Sequence, residues 1–289
     1  MGRTVGVIGL GNMGRGIASN IARSGHTLMA WDMAEDARSF FADTGRIATP
    51  VEMATKADIV IFVVPGSVEI ESMLPDMLEA AHDDLILWDF TTSDPVHTRR
   101  LASLTANFGV PYMDAGMTGG GAKGADEGTM TLMIGGSKEV FERSRSILES
   151  CAGELIHLGP SGAGHTMKVV HNLITHTNFL ACCEAGRLAE AAGIDLGDMI
   201  RVFNAGNARS FISERRFPDH ILSQTWDGRS RIYNLRKDVG MAVALSRELD
   251  TPMRIGHQTL AWIEAAVDEG MEEEDFTRLY SNLDNLAAG

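Results

Sequence analysis

The chain has 289 residues, 44% of them hydrophobic and 22% charged, with a formal net charge of −14. That length and composition fit a soluble globular protein with room for two domains and a sizeable core. The acidic balance, with no basic block to offset it, excludes nucleic acid and an anionic membrane surface as partners. No apolar run reaches the length a membrane span needs. A β-rich stretch begins at Thr4 and leaves no room for a signal peptide. Cys151, Cys182 and Cys183 show no CxxC or metal spacing, so they read as small buried apolar residues in a reducing cytoplasm.

Residues 4–8 form the first strand and run into Gly9-Leu10-Gly11-Asn12-Met13-Gly14. A helical pattern follows over 15–24, Gly25 stops it, 27–31 is the next strand, and Asp32 closes it. Strand, G-x-G-x-x-G, helix, strand and acid is the order of a dinucleotide-binding βαβ unit. Gly9 makes the tight turn, Gly11 lets the backbone approach a pyrophosphate, and Gly14 lets helix and strand pack closely. The phosphates then rest on the helix N-terminus, where free N–H groups and the dipole favour negative charge. Asp32 lies eighteen residues past Gly14, at the ribose-reading position. A carboxylate there accepts from the 2′ and 3′ hydroxyls of NAD and repels a 2′-phosphate. The plainer reading is a turn aspartate capping the helix after Met33; the glycines upstream favour the ribose.

Residues 58–64 are a strand buried on both faces, ending in Pro65-Gly66, and 85–88 is another, followed by Asp89-Phe90-Thr91-Thr92. Pro95 suits a helix start, with Asp94 as its cap. In open parallel sheets the ligand lies beyond the carboxyl ends of strands. The glycine turn, Val64-Pro65 and Thr91-Thr92 are therefore expected to line one crevice. A strand from Tyr112 leads into Gly116-Met117-Thr118-Gly119-Gly120-Gly121, where consecutive N–H groups could turn inward as an anion nest. A flexible loop is the alternative. Residues 129–134 and 154–158 read as strands and 138–150 as a helix.

After Gly162 and Gly164 a helical pattern runs to Ala192, and Gly193 stops it. Lys168 and Asn172, four residues apart, share one face of that helix, one turn apart. A ligand held between the two halves of the chain would meet both; taken alone, Lys168 reads as a solvated surface lysine. His165, His171 and His176 lack the i, i+4 spacing of a helical metal site. Further helices are expected over 196–204, 211–223, 235–249, 252–269 and 273–287, with no strand. Lys237-Asp238 near the start of one of them reads, by itself, as an exposed helical lysine. These patterns divide the chain into an α/β domain over 1–163, with a mostly parallel sheet, and an all-α domain over 164–289, joined by the long helix.

Together these stretches resemble the β-hydroxyacid dehydrogenase family along essentially the whole chain. Gly9 to Gly14 looks like its cofactor motif G-L-G-x-M-G, and Asp114 to Gly120 like its substrate loop D-A-P-V-S-G-G. Gly162 to Asn172 looks like its catalytic motif, G-x-G-x-x-x-K with an Asn four residues on, and Lys237-Asp238-Val239 like its K-D-L. The resemblance implies a Rossmann-type first domain, NAD as cofactor, and a homodimer or homotetramer. It implies Lys168 as catalytic acid/base and Asn172 as the residue that orients substrate. Thr118, Gly119 and Gly120 would hold a small hydroxy acid or semialdehyde by its carboxylate. Val64, Pro65 and Thr92 would contact NAD, along with Gly9, Leu10, Gly11, Asn12, Met13, Gly14 and Asp32, and Lys237 would reach the nicotinamide side. The chain departs from the pattern where Gly116-Met117 replaces Pro-Val, where Thr118 replaces Ser, and in the polar run Arg231, Tyr233 and Asn234. That run could add a hydrogen bond to a second polar group of the substrate.

Oxidising an alcohol sends a hydride to C4 of NAD and a proton to a base. A lysine serves if burial and nearby positive charge bring its pKa toward neutrality. Two alternatives remain: an imine reductase on the same fold, whose members typically lack the lysine and favour NADP, and a non-catalytic NAD-binding protein.

Overall fold

The β-rich runs of the first half pair into one eight-stranded sheet in the computed structural model of the protein, which describes residues 2–42 and 45–286. In chain order the elements are β1 (Thr4–Ile8), α1 (Asn12–Arg23), β2 (Thr27–Trp31), α2 (Glu35–Ser39), β3 (Arg46–Ile47), α3 (Pro50–Lys56), β4 (Ile59–Phe62) and α4 (Ser67–Glu79). They continue with β5 (Ile86–Asp89), α5 (Pro95–Ala106), β6 (Tyr112–Thr118), α6 (Gly121–Glu127), β7 (Thr131–Gly135), α7 (Lys138–Cys151) and β8 (Glu154–Gly159). The strand order is β3-β2-β1-β4-β5-β6-β7-β8, and every neighbouring pair is parallel except β6 and β7. The order reverses between β1 and β4, the place where a doubly wound sheet opens a ligand crevice beyond its carboxyl ends.

Alternation along the strands explains the layers. Ile59 and Ile61 of β4 face the core that holds Ile17 and Ile21 of α1 and Ile147 and Leu148 of α7. Val60 and Phe62 point the other way, to Met53 of α3 and Ile70 and Leu74 of α4. Side chains of successive strand residues take opposite faces, so a strand covered by helices on both sides must be apolar throughout. Each buried aliphatic side chain contributes roughly 1.5–3 kcal/mol.

The chain separates into two compact units, residues 1–168 and 169–289. The long helix α8 (Ala163–Ala191) spans the division between them. The second unit adds α9 (Leu196–Ala205), a π-helix over Ile212–Leu222, α10 (Ile232–Glu248), α11 (Arg254–Asp268), a 3₁₀ turn over Phe276–Arg278 and α12 (Leu279–Leu286). Its core includes Phe179, Phe217 and Phe276, with the Phe179 and Phe276 rings edge-on at 4.8 Å. Among the described residues no helix is long and apolar enough to cross a membrane.

Four elements differ from expectation. The helix expected over 211–223 is a π-helix; Pro218 inside it has no N–H to give to the preceding turn in an α pattern. The helix expected over 273–287 starts as a 3₁₀ turn capped by Asp275, whose carboxylate accepts from the Thr277 amide, and Ala287 lies outside the described residues. The glycine run after β6 turns at once into α6, and short β3 was not expected at all.

Candidate active site

The glycine turn after β1 is built for close approach. Gly9 has φ +96°, and a Cβ on it would lie 2.2 Å from the Val63 carbonyl oxygen. A Cβ on Gly14 would lie 1.8 Å from the Gly9 carbonyl oxygen, so helix and strand pack as the fingerprint requires. Around Gly11 a Cβ would meet nothing within 4 Å among the described residues. Gly11 is also the N-cap of α1, and among the described residues no side chain caps that helix. Open space beside uncapped N–H groups at a helix N-terminus fits a pyrophosphate. Arg15 Nε donates to the Leu10 carbonyl at 3.0 Å and braces the turn.

Asp32 has two backbone partners. Its Oδ2 accepts from the Leu10 amide at 2.7 Å and its Oδ1 from the Ala34 amide at 2.8 Å. Asp32 thus shapes the turn ahead of α2, whose N-cap is Ala34 with no side-chain cap among the described residues, and is tethered to the glycine turn. Each carboxylate oxygen has a second lone pair, so ribose hydroxyls still have acceptors. Sequence reading missed Arg38, which donates to the carbonyls of Asp32 and Met33 at 2.7 and 3.0 Å and lies over the Trp31 ring at 4.9 Å. A cation is thus fixed beside the ribose-reading position.

Val64 and Pro65 follow β4, and Thr92 follows β5. The turn carrying Thr92 is shaped by buried Asp89. Asp89 accepts from the Thr91 amide at 2.8 Å, the Tyr112 hydroxyl at 2.8 Å and the Ser93 hydroxyl at 3.4 Å. Burial, then the charges of Asp89 and Asp114, push the Tyr112 phenol well above its ordinary range.

Asp114 of β6, fully buried, seats the long helix. Its Oδ1 accepts from the Gly162 amide at 2.7 Å and its Oδ2 from the His165 amide at 3.0 Å. A carboxylate here satisfies N–H groups at the start of α8 and complements its dipole. His165, also buried, places Nδ1 2.7 Å from the Thr98 hydroxyl and Nε2 3.2 Å from the Asp89 carbonyl. A carbonyl only accepts, so Nε2 carries the hydrogen. Lys168 then falls against β6, with its stem directly over Gly116. Two residues along the strand stands Thr118, and Gly119, Gly120 and Gly121 follow with φ +98°, +89° and +57°.

In the second unit, Asn172 Nδ2 donates to Asp238 Oδ2 at 2.7 Å, and its Oδ1 lies 3.1 Å from His171 Nδ1. His176 Nε2 lies 3.6 Å from the same Asp238 oxygen, and Lys237 Nζ 3.9 Å from the other. The structure thus brings together Asn172 and Lys237, with Asp238 between them. Asp238 was given no role from sequence, yet a signal was there. It sits in the apolar stripe of α10 with Leu235, Val239 and Ala242, all buried, and an acid at a core-facing position needs a partner. Arg231 pairs with Glu273, and Asn234 Nδ2 donates to Ser230 Oγ at 3.2 Å, so two members of the polar run are engaged locally.

Comparison with known proteins identifies the family. Residues 4–159 match the family model for the NAD binding domain of 6-phosphogluconate dehydrogenase. Residues 162–283 match that for the NAD-binding domain of NADP-dependent 3-hydroxyisobutyrate dehydrogenase. A probable mitochondrial 3-hydroxyisobutyrate dehydrogenase of Dictyostelium discoideum is 30% identical over 97% of this chain and 91% of its own. The 2-(hydroxymethyl)glutarate dehydrogenase of Eubacterium barkeri is 28% identical over 94% and 92%. The structure of Mycobacterium tuberculosis 3-hydroxyisobutyrate dehydrogenase with L-serine superposes with a TM-score of 0.89 at 26% identity, covering 98% of this chain and 99% of that one. With both halves matched by family models and a relative aligned almost end to end, the chain belongs to the β-hydroxyacid dehydrogenase family.

Proposed function

We propose that the protein is an NAD-dependent oxidoreductase that interconverts a short β-hydroxy acid and its semialdehyde or keto form, with Lys168 as general acid/base. One observation carries this reading: the Lys168 stem lies on Gly116 of β6, two residues before Thr118, at the start of a helix seated by buried Asp114. Thr118 and the amides of Gly119 and Gly120 hold the substrate carboxylate, and Lys168 Nζ meets the reacting oxygen. Two anchors so close in the fold suit a hydroxyl on the carbon β to the carboxylate. In oxidation Lys168 takes the hydroxyl proton; in reduction its ammonium gives it back. Asn172, its amide held by Asp238, orients the substrate.

NAD, when bound, takes up the hydride from the substrate carbon. The turn from Gly9 through Leu10, Gly11, Asn12 and Met13 to Gly14 holds it, with Val64, Pro65, Thr92 and Lys237, and Asp32 favours NAD over NADP. The substrate class has support from the names of relatives. 3-Hydroxyisobutyrate, 2-(hydroxymethyl)glutarate and L-serine all carry a hydroxyl β to a carboxylate. The last two add a polar group, which supports preference for an acid with a second polar group over plain 3-hydroxyisobutyrate. Three free buried thiols suit a reducing cytoplasm. Exposed Val170 and Ile174, one turn apart on α8, support a homodimer or homotetramer.

NADH formation across a panel of hydroxy acids tests the function. Activity with β-hydroxy acids and little with uncharged alcohols is expected. Equal kcat/KM for both would remove the carboxylate anchor from the account. Turnover of cyclic imines alone would favour an imine reductase, and cofactor binding with no turnover would favour a non-catalytic NAD-binding protein.

A further inference from the structure

Gly116 is buried in the middle of β6, opposite Met133 of β7. Its backbone is not left-handed, so conformation does not bar a side chain there. Space does. A Cβ on Gly116 would lie 2.5 Å from Lys168 Cβ, 3.3 Å from Lys168 Cγ and 3.0 Å from the Gly164 carbonyl oxygen. Carbon atoms in contact prefer about 3.5–4.0 Å. The Lys168 atoms concerned are the root of the side chain, and no rotamer change moves a Cβ away from its own backbone. Relief requires moving the first turns of α8.

The helix side of the contact is equally tight. A Cβ on Gly164 would lie 2.2 Å from the Met133 carbonyl oxygen and 2.9 Å from that of Asp114. With Asp114 accepting from the Gly162 and His165 amides, the start of α8 is pressed onto β6 and β7 and pinned there. In this chain the glycine that stands where the D-A-P pattern has proline leaves the room that the Lys168 stem fills.

We propose that Gly116 is a positioning residue: its missing side chain is the seat of the Lys168 stem and sets where Nζ stands. This rests on the reading of Lys168 as acid/base. Proton transfer needs a heavy-atom distance of about 2.6–3.2 Å, and a misplacement of about 1 Å can cost about 10²-fold. A methyl on Gly116 demands a displacement of about that size, the difference between 2.5 Å and a normal contact of about 3.5 Å. The glycine turn proposed to hold the cofactor follows β1, three strands from β6 in the sheet and apart from this contact.

The test pairs Gly116→Ala with Lys168→Gly, which removes the stem. Gly116→Ala is expected to lower kcat by about 10- to 100-fold, to move the limb of the kcat pH profile set by the lysine, and to leave the NAD dissociation constant within about twofold. Its loss of urea midpoint should be smaller in the Lys168→Gly background than in the native one. Near-normal kcat, or the same midpoint loss in both backgrounds, overturns the proposal. If Gly116→Ala alone does not fold, the double variant decides: folded supports the seat, unfolded overturns it. Full turnover by Lys168→Gly would instead sink the acid/base reading, whereas an inactive Lys168→Gly beside an unimpaired Gly116→Ala sinks only the positioning.

Discussion

Asp32 Oδ2 accepts a hydrogen bond from the Leu10 amide at 2.7 Å, tying the end of β2 to the glycine turn after β1. The carboxylate is thus part of the turn's architecture as well as the proposed reader of the ribose. Asp32→Ser is expected to narrow the preference for NAD over NADP. It should also weaken binding of both, since the shorter hydroxyl gives up the tether. Dissociation constants for the two reduced cofactors, read by fluorescence titration, check this. An unchanged ratio would place discrimination elsewhere, first at Arg38, whose guanidinium is fixed on the Asp32 and Met33 carbonyls.

Lys168→Ala is expected to lower kcat by about 10²–10⁴-fold, the usual contribution of a positioned general acid/base, with NAD affinity nearly unchanged. Single-turnover rates and a cofactor titration separate the two effects. Asn172→Ala should cost less, mainly in KM. A Lys168→Ala variant with near-normal turnover would assign the proton transfer to another group.

The pairing of Asn172 with Asp238 makes a prediction about coupling. Both residues are nine-tenths buried, and the amide donates to the carboxylate at 2.7 Å. If Asp238 acts by holding Asn172, then Asp238→Ala and Asn172→Ala should be non-additive in kcat/KM. Groups in one buried network typically couple by about 0.5–3 kcal/mol. Effects that simply multiply in the double variant would mean that Asp238 acts on something else, with Lys237, 3.9 Å from its other oxygen, the nearest candidate.

The doubly wound sheet was legible because its chemistry is redundant. Strands β1, β4 and β5 are apolar on both faces and end at glycine, proline or a capped helix, so pattern and punctuation agree. Two-residue β3 carries no period to read, and α6, opened by a run of glycines, has little helix propensity of its own. Its helical turn is held by tertiary contact with α1, where Asn20 Nδ2 donates to the Ala125 carbonyl at 2.7 Å. At the site, motif spacing pointed to Lys168 and Asn172. What holds them in place was hidden, because Asp114 lies 48 residues before Gly162 and Asp238 lies 66 after Asn172. Such partners share no local pattern and meet only in the folded chain.

Alkaline stability should report on the buried network around Asp89. Tyr112 is kept protonated by burial first, then by the charge and hydrogen bond of Asp89 and the charge of Asp114. In the unfolded chain it ionises near its ordinary value of 10.0. The folded protein therefore binds more protons than the unfolded one above about pH 10, and stability falls as pH rises. Below that pH the contribution is fully present. The buried thiols work in the same direction from an ordinary value of 9.0, burial pushing Cys151 and Cys182 up to about 12. The decline should thus begin near pH 9 with the cysteines and steepen above pH 10 as Tyr112 joins. Tyr112→Phe takes a donor from Asp89 Oδ2 at 2.8 Å and should cost about 1–3 kcal/mol at neutral pH. Its further loss between about pH 10 and 11 should be shallower than in the native protein. Urea midpoints for both proteins at a series of pH values decide it: parallel curves would mean that the Tyr112 phenol ionises as readily folded as unfolded.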